Sequence, residues 1–243
     1  MRSGNPVLSE KKFSPSMVIG ERMTIEGVVN KSFAMLGLVV VSAWYVWDKF
    51  FTTMDMASVS PFIMFGVIGG LVAALVTVFK PTVARYSAPV YAVLEGLALG
   101  GISAFMESRY PGIVFQAVSL TFAVFFSLLF LYKTGRIKVT ENFKMMVVSA
   151  TGGIFLVYLL DFVLMFFGIR LPMIHEGGFF GILFSLVVVG IASMNLVLDF
   201  DFIEKGAERG APRYMEWYGA FGLTVTLVWL YLEILRLLAK TRD

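Results

Sequence analysis

GFFGILFSLVVVGIASMNLVLDFDF, residues 178–202, is the stretch that decides the class of fold. From Gly178 to Leu198 no residue carries a charge. Crossing a bilayer takes about 20 consecutive apolar residues, so this run is long enough. Its two acids, Asp199 and Asp201, come only at the far end. Six further stretches share its character: 30–51, 61–80, 86–107, 113–132, 144–168 and 217–239. The chain therefore reads as an all-α membrane protein, a bundle of seven transmembrane helices. Residues 1–23 are expected to form a cytoplasmic tail and 24–243 the membrane domain.

Composition agrees. The 243 residues are 58% hydrophobic and 15% charged, with a mean hydropathy of +0.82. Soluble domains run at about 45–50% apolar and about 25% charged. Too much apolar surface is present for water to be the only solvent. The absence of cysteine removes disulfides, thiolate metal sites, iron–sulfur clusters and cysteine nucleophiles. The single histidine, His175, excludes a bis-histidine haem and a histidine-rich metal centre, and no cofactor is expected. A net charge of +3 points to membrane topology rather than to nucleic acid. No apolar signal segment is visible in the first thirty residues.

The connections carry turn signals. Pro61 and Pro111 are expected near helix starts, where a missing N–H is harmless, and Pro81 ends the second span. Gly177 and Gly178 open the sixth. Residues 204–213 read as a polar loop between the sixth and seventh. Gly66 and Gly70, and Gly96 and Gly100, recur at a spacing of four, which lets helix backbones approach closely. Trp44, Tyr45, Trp47, Trp217 and Tyr218 read as interfacial anchors.

Lysine and arginine set orientation. One side collects fourteen: Arg2, Lys11, Lys12, Arg22 and Lys31; Lys80 and Arg85; Lys133, Arg136, Lys138 and Lys144; Lys205, Arg209 and Arg213. The other side collects six: Lys49, Arg109, Arg170, Arg236, Lys240 and Arg242. The bias places the N-terminus in the cytoplasm. The basic C-terminal end then falls on the far side, so the seventh segment is either a full span, the reading adopted, or re-entrant.

Ionisable residues within spans are costly, so they usually face the bundle interior and mark function. The candidates are Glu95 in the third span, Asp161 in the fifth, Asp199 and Asp201 late in the sixth, and Glu233 in the seventh. At about 1.5 Å rise per residue, they form a possible ladder. Asp199 and Asp201 stand at the cytoplasmic end, Glu95 at mid-depth, and Asp161 and Glu233 in the outer half. Lining one polar path is the functional reading. Interfacial placement for Asp199 and Asp201, pairing of Glu233 with Arg236 or Lys240, and a helix-to-helix hydrogen bond for Asp161 are the structural ones. Buried carboxylates in general resist ionisation, two close ones can share a proton, and carboxylate oxygens suit Ca²⁺.

Three segments carry a family resemblance: LEGLALG at 94–100, LVLDFDFI at 196–203 and WLYLEILRLL at 229–238. Over about residues 25–240 the chain resembles the Bax inhibitor-1 (transmembrane BAX inhibitor motif) family, in a bacterial branch. The resemblance implies a central seventh helix ringed by six. It also implies an aspartate pair on spans six and seven that senses pH, a pH-dependent Ca²⁺ leak across a bacterial cytoplasmic membrane, and a basic residue ending span two that locks the pair. Asp199 matches the first aspartate, and Lys80, with Arg85 close by, the basic latch. The chain departs at the second aspartate, whose place falls on Thr226 when Arg236 is aligned. Glu233 lies seven residues later, about 10 Å along the helix. Asp201 or Glu233 is the candidate replacement, with Asp199 and Glu233 as the metal-facing pair.

The leading expectation is a pH-sensitive calcium leak channel whose partners are the bilayer, Ca²⁺ and protons. A proton-coupled carrier and a non-transporting regulator of other membrane proteins are the alternatives. An enzyme is not expected: His175 falls in a loop, and no paired-glutamate metal motif is present. A retinal pigment fails because Lys240 is at the tail.

Overall fold

The computed structural model describes residues 21–169 and 171–242. Most of the expected tail at 1–23, Arg170 and the His175 side chain lie outside the described residues. Seven long helices carry the chain: α1 (Ile25–Thr53), α2 (Met56–Phe79), α3 (Ala84–Arg109), α4 (Ile113–Lys133), α5 (Glu141–Met165), α7 (Phe179–Glu208) and α8 (Met215–Lys240). The short α6 (Pro172–His175) sits in the connection after α5. All seven long helices are long and apolar enough to span a membrane. The last is the most enclosed, with 61% of its most apolar stretch buried against 11% for α5. No strand occurs among the described residues, only an isolated bridge between Arg22 and Pro212.

Helix caps explain where the boundaries move. The Thr24 side chain accepts from Gly27 N and starts α1 five residues ahead of the apolar run. Asp55 accepts from Ala57 N and starts α2, so Pro61 lies inside the helix rather than at its start. Thr140 accepts from Phe143 N and begins α5, which draws Lys144 into that helix. Such caps satisfy first-turn N–H groups that a helix cannot satisfy itself. The largest correction concerns α7, which runs on to Glu208. The polar loop expected from 204 therefore starts five residues later, and Asp199 and Asp201 belong to the helix interior. α8 is one continuous helix of 26 residues, roughly 39 Å long. That exceeds the hydrocarbon thickness of about 30 Å and overturns the re-entrant alternative.

The chain forms two compact units. One takes the described residues up to Pro111 together with Phe202–Val225. Here α3 packs against α1 and α2, and glycines set how closely. A Cβ at Gly66 would stand 2.5 Å from Leu94 O and 2.7 Å from Ala98 N. At Gly96 it would collide with Ser42 Oγ and Val39 O, and at Gly100 with Ala43 O. Below this packing, Val46, Phe50, Val59 and Ala104 form a buried cluster. The segment before α1 is strapped to the segment before α8. Met23 N donates to Ala211 O at 2.7 Å and Arg213 N to Glu21 O at 3.1 Å. Buried Glu216 accepts from Thr24 N at 2.9 Å, Thr24 Oγ1 at 3.0 Å and Lys31 Nζ at 2.5 Å. Lys31 is thus a helix-borne counterion. Tyr218 is likewise no surface anchor: it is fully buried, its ring 6.4 Å from Phe202 and 6.5 Å from Phe221.

The other unit takes Gly112–Asp201 and the chain from Thr226 on. It holds α4, α5, most of α7 and the second part of α8.

Candidate functional site: a polar seam along α5

Most of α5 is greasy. Met145, Met146, Leu156, Leu160 and Val163 are all exposed, as suits a helix that faces lipid. Among its polar residues, three recur at intervals of seven: Lys144, Thr151 and Tyr158. Seven residues are close to two helical turns, so the three share one face, with steps of about 10 Å and a total of about 21 Å.

Each bonds across to another helix of the same unit. Lys144 Nζ lies 3.3 Å from Asp201 Oδ2 of α7, with both side chains nearly withdrawn from solvent. Lys144 also reaches Glu141 at 3.5 Å. Asn195 Nδ2 of α7 donates to Thr151 Oγ1 at 2.8 Å. The Tyr158 hydroxyl lies 2.9 and 3.1 Å from the Glu233 carboxylate of α8 and accepts from Arg236 at 2.6 Å. Glu233 is buried. It also accepts from Trp229 Nε1 at 3.3 Å and pairs with Arg236 at 3.1 Å.

A polar bond between membrane helices returns about 0.6 kcal/mol on average. The charged members stand toward helix ends: Lys144 in the first turn of α5, Asp201 in the last third of α7 and Arg236 near the end of α8.

Four of the five sequence-selected acids fall in this unit. Asp199 is wholly buried and nine residues from the end of α7, about 13 Å. Asp201 is buried as well. Residues two apart on a helix do not face each other, so Asp199 and Asp201 are not a proton-sharing pair. Glu233 takes the structural option of pairing with Arg236. Asp161 accepts from Leu171 N at 3.0 Å and pins the turn after α5. Thr226, at the place of the second aspartate, is buried on α8. Lys240, expected at the tail, is buried and donates to Gly181 O at 3.1 Å.

Glu95 belongs to the other unit. It sits midway along α3, hydrogen-bonded to Tyr91, with its Oε2 3.2 Å from where a Cβ on Gly70 would stand. Lys80 and Arg85 are exposed at the α2–α3 corner. Arg85 stacks on the ring of Tyr86, and neither forms an ion pair among the described residues. Among those residues no three Asp, Glu or His side chains gather as a metal centre requires.

Thr151, Tyr158 and Asn195 are not acids, and a search for intramembrane charges passes over them. The seven-residue recurrence of polar groups in an apolar span finds Thr151 and Tyr158; Asn195, on α7, carries no such signal.

A seven-helix membrane protein with a charged seam inside its helices is the class these features define. The chain belongs to the Bax inhibitor 1 like family, whose profile matches residues 5–243. No curated protein and no solved structure gives a significant match to it.

Proposed function

We propose that this protein is a pH-sensitive leak for calcium, or a like divalent cation, gated by protonation of intramembrane acids. Asp199 is the sensing group and the N-terminus lies in the cytoplasm of a bacterial cell. The observation that carries the reading is the complete burial of the Asp199 carboxyl group within α7. A carboxyl group so enclosed changes charge only at a cost in desolvation, which couples its protonation to the packing around it. Carboxylate oxygens are also what a hard cation prefers. The activity is passive transport, not enzymatic turnover, and calcium is the cargo rather than a resident cofactor.

The test is Ca²⁺ entry into dye-loaded proteoliposomes between about pH 6 and 8. Wild type should admit Ca²⁺ with a pH dependence that Asp199→Asn abolishes. Wild-type vesicles no leakier than empty ones at any pH would end the reading and turn attention to a coupled substrate or a protein partner.

A further inference from the structure

Lys144, Thr151 and Tyr158 share one face of α5, and each bonds to a different polar residue opposite: Asp201, Asn195 and Glu233. We propose that this seam lines a water-accessible route through the unit. It rests on the leak reading for what moves along it, but not for its existence.

Three observations support it. The seam covers about 21 Å along the helix, against a hydrocarbon core of about 30 Å. No acid cluster alone accounts for that length, because the middle step is made by two neutral groups, Thr151 and Asn195. The ionisable groups at either end, Lys144 with Asp201 and Glu233, are nearly withdrawn from bulk solvent, and water in the seam would lower the desolvation cost of each. Finally, the Ser185 hydroxyl of α7 is buried and has no hydrogen-bond partner among the described residues. It neighbours Phe184, whose ring lies 6.2 Å from that of Tyr158. A mid-helix serine ordinarily bonds to the carbonyl four residues back, but here Gly181 O holds the Lys240 ammonium. A buried hydroxyl without a protein partner is a place for water.

The absence of cysteine makes the route directly testable in the full chain. Single cysteines replace Thr151 or Ser185, both near-isosteric changes, and Leu156 or Leu160 as controls on the exposed apolar side of α5. A membrane-impermeant cationic thiol reagent is applied from both sides of proteoliposomes. Only the thiolate reacts, and hydrocarbon suppresses it, so Thr151→Cys and Ser185→Cys should react about tenfold or more faster than the controls. Modification of Thr151→Cys should also lower Ca²⁺ entry.

Reaction at 151 and 185 no faster than at 156 and 160 overturns the route, even if wild type admits Ca²⁺. Fast reaction in a protein that admits no Ca²⁺ leaves the route standing and removes the leak. If one of the two variants does not fold, the other decides.

Discussion

Lys144 on α5 and Asp201 on α7 meet at 3.3 Å with both side chains nearly out of solvent. The lysine ends the polar stripe that continues through Thr151 and Tyr158. The aspartate lies eight residues short of the point where the polar connection begins. Lys144 also reaches Glu141 at 3.5 Å, but Asp201 is the buried partner, which makes the pair a sensitive probe of the unit.

Lys144→Met should destabilise the protein by about 3–5 kcal/mol, because it strands a buried carboxylate. Lys144→Met combined with Asp201→Asn should recover part of that loss. A double-mutant cycle by thermal unfolding in detergent should return a coupling of about 0.5–3 kcal/mol. Additive losses would mean that the two charges are independently solvated.

Tyr158→Phe keeps the ring and deletes the hydroxyl between Glu233 and Arg236. The cost should be about 1.5–3 kcal/mol, as for a hydrogen bond to a charged group. The ring contact with Phe184 should survive. Unfolding measurements on Tyr158→Phe check the magnitude, and an unchanged melting temperature would show that Arg236 and Trp229 satisfy Glu233 without the hydroxyl.

Two glycines should respond with opposite signs. Gly96→Ala drives a methyl group into Ser42 Oγ and Val39 O, and overpacking of this kind costs about 1–3 kcal/mol. Gly152→Ala on α5 meets nothing within 4 Å. It should stabilise by about 0.5–1 kcal/mol through helix propensity. The ranking of the two melting temperatures against wild type decides the matter.

Glu216→Ala removes the acceptor shared by Thr24 and Lys31 at the root of α8. A loss of about 1.5–3 kcal/mol is expected, together with faster protease cleavage around residues 21–24, whose strap to 211–213 depends on that anchor. Cleavage at the wild-type rate would show that the backbone bonds alone hold the strap.

The seven spans were legible in the chain because hydropathy is local and additive. A run such as 178–198 needs no knowledge of its neighbours to be too apolar for water. The helix ends were half legible. Thr24, Asp55 and Thr140 are recognisable caps once their geometry is seen, but the polar residues after Phe202 masked the continuation of α7 to Glu208. Glycines at 66 and 96 announced close packing correctly, since a missing Cβ has few other uses in a span.

The acids were visible as residues and invisible as partners. Depth along a helix follows from counting, and so Glu95 at mid-span was placed from sequence. Facing does not, because it depends on which side of each helix its neighbours cover. Thus Asp201 found Lys144, Glu233 found Tyr158 from 75 residues away, and Glu216 found Lys31. The sequence by itself determined the membrane solvent, the number of spans and the family. Only the tertiary structure decided which polar groups meet, because each pairing is chosen by packing of whole helix faces rather than by any property of the residues alone.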